Sequence, residues 1–119
     1  MATKVILDTN ALLMPFEMKL NLDLEVRRLL GDVHFIIPGP IIGELKNLDH
    51  KHSSVALKLA RKYEIIQTES QGDDSIIELA LTTGAFVLTN DRELRSKLRA
   101  RKIPMIYLRS GTHLIKEII

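Results

Sequence analysis

The feature that most constrains this chain is a set of five short apolar runs, rich in aliphatic and β-branched residues, with helix-like stretches between them. The runs are continuous instead of alternating, which is typical of parallel strands covered on both faces. They lie at 4–8, 33–37, 63–66, 85–89 and 104–108. Helices are predicted at 10–17, 22–30, 40–49, 53–62, 73–83 and 91–101. The sequence therefore predicts a three-layer α/β/α domain with right-handed crossovers around a parallel five-stranded sheet.

The composition predicts a single domain over 1–119. A chain of 119 residues with 45% hydrophobic residues can bury one core. It has no cysteine, which excludes a disulfide framework, a thiolate metal site and a cysteine nucleophile. Its N-terminal apolar run is too short for a signal peptide, and no segment approaches the roughly 20 apolar residues of a membrane span. We therefore expect a cytoplasmic protein that is not bound to a membrane.

Acidic residues follow four of the predicted strands or the loops after them. Asp8 ends the run "KVILD", Glu44 lies in "PGPIIGELKNL", and Asp91 lies in "LTND". Asp73 and Asp74 begin the helix after the third strand. Ligands of open α/β sheets bind beyond the carboxyl ends of the strands. We therefore expect these carboxylates to meet at one edge of the sheet.

Each acid also has a structural explanation. Asp73, Asp74 and Asp91 stand at predicted helix starts, where carboxylates accept hydrogen bonds from free backbone amides. Asp8 can likewise help to open the helix that follows it, but Glu44, with its apolar neighbours, fits a solvated helix face poorly. Carboxylates gathered at one edge would repel each other unless a cation lies among them. Mg²⁺ and Mn²⁺ prefer such oxygen ligands, so the pattern indicates a metal site.

These segments resemble the acidic motifs of the PIN domain family of metal-dependent ribonucleases. The similarity runs in order through "VILDTNALL", "IIGELKNL", "DDSIIELAL" and "FVLTNDRELRSKLR", and it covers essentially the whole chain. The last block is most similar to archaeal PIN proteins related to an rRNA-processing endonuclease, and less similar to VapC-type toxins. The resemblance implies the strand order 3-2-1-4-5. It also implies an endoribonuclease that uses one or two Mg²⁺ or Mn²⁺ ions and leaves a 5′-phosphate and a 3′-hydroxyl.

The resemblance also implies roles for individual residues. The catalytic acids and metal ligands that it implies are Asp8, Glu44, Asp74 and Asp91. Asp73 is then an extra carboxylate, either a helix cap or a group behind the metal ligands. Thr89 matches a hydroxyl that supports the site, and Asn10 matches a polar position that orients a carboxylate or a water. With these groups, a metal-activated water would hydrolyse the phosphodiester.

A basic helix follows the last acid and is a candidate RNA-binding surface. Arg92, Arg95 and Arg99 share one face by their spacing, and Lys46 is a further candidate for phosphate contacts. An ordinary solvated helix face explains the same residues equally well, and a net charge of only +2 permits an RNA partner without demanding one. Tryptophan is absent and the other aromatic residues fall mostly within predicted strands, which argues against a base-stacking reader of RNA.

Other domain families fit this pattern of acids less well. A receiver-like domain needs an acceptor aspartate after its third strand, and "YEIIQT" ends without one. A phosphatase of the haloacid dehalogenase type needs an acid where Asn10 stands. A non-catalytic RNA-binding or assembly module stays open, as does the toxin ribonuclease of a toxin–antitoxin pair. His50 and His52 do not share a helix face, so we expect a loop without a metal role.

The expected partners are RNA and another protein, whether the protein processes rRNA or belongs to a toxin–antitoxin pair. That protein would be an antitoxin or a ribosome-assembly factor. The leucine-rich stretch 20–30 favours core packing, with a homodimer contact as the alternative.

Overall fold

The computed structural model describes residues 2–111 and 113–118, which form one mixed sheet with helices between its strands. The strands are β1 (Thr3–Leu7), β2 (Val33–Pro38), β3 (Glu64–Ile66), β4 (Phe86–Leu88), β5 (Met105–Arg109) and β6 (His113–Glu117). The helices are α1 (Thr9–Met18), α2 (Leu22–Leu30), α3 (Gly39–Asn47), α4 (Ser53–Ala60), α5 (Gly72–Thr83) and α6 (Arg92–Ala100). The helices in these ranges have 8 to 12 residues, and none is long and apolar enough to cross a membrane.

The strands of the described ranges lie in the order β3-β2-β1-β4-β5-β6. The first five are parallel to their neighbours, as predicted, and β1 lies between β2 and β4. Helices α1, α3 and α4 pack against one another, and α5 packs against β1, β2 and β4. The predicted α/β class is confirmed. The ends of β1 and β4 are adjacent, which brings the residues after Leu7 and Leu88 together.

The sixth strand was not predicted. β6 pairs antiparallel with β5, so that Met105 lies opposite Glu117. Ser110 and Gly111, between the strands, have φ angles of +57° and +67°, a backbone conformation that suits tight hairpin turns. The five-strand prediction was wrong because it placed no strand in the short segment "HLIKE". The serine–glycine pair before it was the available signal of a hairpin.

The central strand supports the candidate site. Val5, Ile6 and Leu7 expose no surface because helices cover both faces of the sheet. Burial of an aliphatic side chain of this size contributes about 1.5–3 kcal/mol. The strand that leads to Asp8 is therefore a rigid part of the core.

The leucine-rich stretch 20–30 packs mainly on the core. Leu22 and Val26 of α2 are buried, whereas Leu24 is 60% exposed. Core packing therefore accounts for most of this apolar sequence. The homodimer alternative stays a prediction.

Candidate active site

Asp8 is a buried carboxylate at the end of the central strand. It exposes 6% of its surface and caps α1, where its Oδ1 accepts a hydrogen bond from Ala11 N–H at 2.7 Å. Its Oδ2 accepts from the Thr89 hydroxyl. The pKa of Asp8 is raised to about 7, mainly by burial; the two hydrogen bonds oppose this shift, and the carboxylates of Asp91 and Asp73 add to it. No side chain of the described residues forms an ion pair with Asp8, so its ionised form lacks a countercharge.

Thr89 connects the acids of two neighbouring strands. It lies directly after β4 with no exposed surface. Its hydroxyl donates to Asp8 and accepts from Asp91 N–H at 3.1 Å. Asp91 is exposed and caps α6 by accepting from Leu94 N–H at 2.9 Å. The parallel pairing of β1 with β4 therefore places Asp8 and Asp91 on either side of one buried hydroxyl.

Asn10 holds the loop that carries Asp91. Its Oδ1 accepts from Asn90 N–H at 2.9 Å, and Asn90 Oδ1 accepts from Leu108 N–H at 2.9 Å. This chain of amides joins α1, the β4–α6 loop and β5. Asn10 was expected to orient a carboxylate or a water, and in the structure it instead bonds to the backbone beside Asp91.

Glu44 approaches the same place from α3. Its Oε2 accepts a hydrogen bond from Thr9 Oγ1 at 2.7 Å. Glu44 is exposed, while Ile41 and Leu45 of the same helix are buried. The expectation that Glu44 fits a solvated helix face poorly was wrong, because its buried neighbours Ile41 and Leu45 lie on the core-facing side of the helix.

Of the two acids on α5, Asp73 reaches the site and Asp74 does not. Asp73 lines the cavity next to Asp8, and Lys97 of α6 lies 3.4 Å from its Oδ2. Asp74 is exposed and borders a different cavity, together with Arg101. The structure places Asp73 along the cavity that Asp8 lines and Asp74 along another; the role of Asp74 as a metal ligand stays a prediction. Adjacent helical residues point about 100° apart, so only one of the pair faces the cavity.

These groups line one cavity of about 310 Å³. Its acidic lining consists of Asp8, Glu44, Asp73 and Asp91, and its other lining residues are Thr9, Asn10, Leu13, Ile41, Leu48, His50 and Ile76. Within residues 2–111 and 113–118, no three Asp, Glu or His side chains converge closely enough to hold an ion as they stand. The acids thus surround a shared space without forming a closed ligand set.

Comparisons with known proteins agree with this arrangement. Residues 5–111 match the PIN-like domain family. The chain belongs to this family. The resemblance of its four acidic segments to PIN domains is therefore confirmed, and the cavity of this PIN-like domain lies where those segments meet.

Three relatives of the PIN-like domain span most of its length. Ribonuclease VapC9 of Archaeoglobus fulgidus is 32% identical over 121 residues, covering 96% of this chain and 89% of the relative. Ribonuclease VapC4 of Methanocaldococcus jannaschii is 32% identical over 118 residues, covering 89% and 90%. The structure of the PIN domain endonuclease Utp24 matches with a TM-score of 0.79 and 24% identity, over 98% of this chain and 92% of that one. At that identity, the likeness to Utp24 supports the fold alone.

The four basic residues that were expected to contact RNA divide into two groups. Arg99 pairs with Glu117 of β6 through contacts of 2.6 and 3.0 Å, and the guanidinium of Arg95 lies 4.4 Å from the centre of the Tyr107 ring. These two expected RNA contacts therefore also hold the β5–β6 hairpin against α6. Arg92 and Lys46 are exposed, and neither pairs with another side chain in the described ranges.

Three residues at or beside the cavity were not assigned a role from the sequence. Thr9 bonds to Glu44, Lys97 pairs with Asp73, and His50 lines the cavity from the loop between α3 and α4. Thr9 directly follows Asp8, which was a usable signal. The positions of Lys97 and His50 depend on contacts between distant segments, which no local pattern indicates.

Proposed function

We propose that this PIN-like protein is an endoribonuclease that depends on Mg²⁺ or Mn²⁺. It hydrolyses RNA phosphodiesters by adding water across the P–O3′ bond, which leaves a 5′-phosphate and a 3′-hydroxyl. The observation that carries the proposal is the buried Asp8 carboxylate, which lies near the carboxylates of Asp91 and Asp73 and forms no ion pair with a side chain of residues 2–111 or 113–118. Two relatives that span most of the chain are named ribonucleases, which supports RNA as the substrate.

A divalent cation fits the chemistry of this cavity. The four lining acids offer hard oxygen ligands. Burial and the carboxylates of Asp91 and Asp73 raise the pKa of Asp8, so a cation would offset both effects on its ionised form. Asp8, Asp91 and Asp73 would hold one or two ions, with Glu44 as a further ligand. When bound, such ions supply an activated water and neutralise charge on the phosphate.

The protein's own residues prepare this site. The bonds from Ala11 N–H and Thr89 fix the orientation of Asp8, and the Asn10–Asn90 contact fixes the loop of Asp91. Arg92 begins the helix that Asp91 caps, so its exposed guanidinium is suited to a phosphate of the bound RNA. Lys46, in the last turn of α3, is exposed and is a further candidate for a phosphate contact.

Product analysis provides a direct test. Purified protein is incubated with end-labelled RNA in EDTA, Mg²⁺ or Mn²⁺, and the new ends are identified by ligation and phosphatase treatment. We expect cleavage only with the divalent ions, and 5′-phosphate ends. An Asp8→Asn protein purified in parallel controls for contaminating nuclease. Products with 2′,3′-cyclic phosphate ends, formed equally well in EDTA, would contradict hydrolysis by activated water.

We propose rRNA processing in the cytoplasm as the cellular role. The two relatives named VapC favour a second candidate, a toxin ribonuclease that pairs with an antitoxin. Induced expression in a heterologous cell separates the two. Growth arrest with cleavage of a mature RNA indicates the toxin, and unchanged growth with accurate cleavage of a ribosomal precursor in vitro indicates processing.

A further inference from the structure

The cavity has an apolar wall that hydrolysis of the phosphodiester does not use. Leu13, Ile41, Leu48 and Ile76 line it beside the acids, and the ring of His50 completes the lining. A volume of about 310 Å³ lies at the lower end of the range for ligand sites. The space therefore suits one nucleotide better than a longer piece of RNA. Of the two uncharged parts of a nucleotide, the base has the flat apolar face that fits an apolar wall, whereas the ribose carries hydroxyl groups.

Hydrogen bonds occupy both nitrogens of the His50 ring. His52 N–H donates to Nδ1 at 3.0 Å, and because a backbone amide can only donate, Nδ1 is unprotonated. Nε2 therefore carries the proton, which it donates to Glu17 Oε2 at 3.2 Å. In this arrangement neither nitrogen is available to transfer a proton to a substrate. The ring can offer a ligand its face and its carbon edge.

Further contacts hold the His50 ring in place. Its centroid lies 5.6 Å from that of His52, which in turn lies 6.3 Å from that of Phe16. These separations fall within the range of interacting aromatic pairs, and Phe16 packs against the core. The side chain of His50 is still 28% exposed. It is therefore a fixed and accessible ring at the border of the acidic cavity.

We propose that His50 and the apolar wall form a subsite for the base of the nucleotide next to the scissile phosphate. Proteins that bind unpaired RNA bases stack them on aromatic side chains, including histidine. A ring already held in position loses little freedom when a base binds to it. The proposal rests on RNA as the substrate of the proposed function, and it assigns His50 to substrate positioning instead of proton transfer.

Binding measurements on a non-cleaving protein test the subsite. The probe is a six-nucleotide oligoadenylate, and the protein carries Asp8→Asn in Mg²⁺ buffer. We expect the NMR signals of the His50 ring protons to move upfield on titration, because a stacked adenine shields them. His34, which pairs with Glu64 through parallel strands β2 and β3, is the internal control and should not move. An abasic oligomer of the same length should leave His50 unchanged.

Substitutions distinguish stacking from hydrogen bonding. His50→Ala should weaken oligoadenylate binding about tenfold, as expected for one stacked base, whereas His50→Phe should restore most of it. His34→Ala should bind like the parent, and melting curves check that each variant is folded. Binding of the oligomer without a shift at His50, or undiminished binding by His50→Ala, would overturn the subsite. These measurements detect binding and need no cleavage. They can therefore succeed or fail independently of the cleavage assay that tests the nuclease proposal.

Discussion

Replacing Asp8 with asparagine should stabilise the metal-free protein at alkaline pH. Asp8 has a pKa of about 7 in the folded protein, compared with 3.8 for an ordinary aspartate. The folded state therefore retains its proton over a pH range in which the unfolded chain has released it. Stability falls as the pH rises from about 4 through 7, and the loss is complete above the folded pKa. About three pH units, at about 1.4 kcal/mol each, correspond to about 4 kcal/mol.

Asparagine at position 8 removes this penalty because it stays neutral. Part of the gain is lost, since the Thr89 hydroxyl no longer donates to a carboxylate oxygen, at a cost of about 1–2 kcal/mol. We therefore expect Asp8→Asn to be about 2–3 kcal/mol more stable than the wild type at pH 8 in EDTA. At pH 4 the order should reverse or vanish, because Asp8 is then protonated in the folded protein.

Urea unfolding in EDTA at several pH values between 4 and 8.5 measures this difference. Asp74→Asn serves as the matched control, because Asp74 is exposed and borders a different cavity. Its stability should stay within about 0.5 kcal/mol of the wild type at every pH. If the free energies of unfolding of Asp8→Asn and the wild type change with pH in parallel across the whole range, the pKa of Asp8 is not raised in the folded protein.

Three further predictions concern Mn²⁺ binding, the role of Asp73 and the β5–β6 hairpin. Mn²⁺ should raise the melting temperature of the wild type more at pH 8 than at pH 6, and should not raise that of Asp8→Asn; equal effects on both proteins would place the ion elsewhere. Asp73→Asn should lower Mn²⁺-dependent cleavage by about tenfold or more, whereas an equal loss in Asp74→Asn would restore the assignment made from the sequence. Arg99→Ala should lower the melting temperature slightly, because it removes the partly exposed pair with Glu117; thermal unfolding measures the change, and an unchanged melting temperature would contradict the prediction.

The parts of the site that depend on parallel strands could be predicted from the sequence. Apolar runs located β1 and β4, and adjacent parallel strands end at the same edge, so Asp8 and Asp91 were expected to meet. The positions of the helices followed from residue spacing and from glycine and proline at their ends. These signals are local, and the packing of parallel strands into one sheet brings the residues at the strand ends close together.

Other features of the site depend on the orientations of helices and on contacts between distant segments, which local sequence patterns do not specify. The choice between Asp73 and Asp74 depends on where α5 begins and how it is rotated against the sheet. The exposed position of Glu44 depends on which side of α3 packs inward. His50 reaches the cavity through a loop whose contact with Glu17 spans 33 residues of sequence. These features belong to the tertiary structure, and the missed β6 shows the same limit for a short edge strand.

The central claim is that the acids around Asp8 hydrolyse RNA with a bound divalent ion. Its most direct test is the initial rate of Mn²⁺-dependent RNA cleavage by Asp8→Asn and Asp74→Asn, each confirmed to be folded. We expect Asp8→Asn to lose about 100-fold or more of the wild-type rate. Asp74→Asn should stay within about twofold of it, because Asp74 does not line the cavity of Asp8. Cleavage by Asp8→Asn at the wild-type rate would contradict this claim.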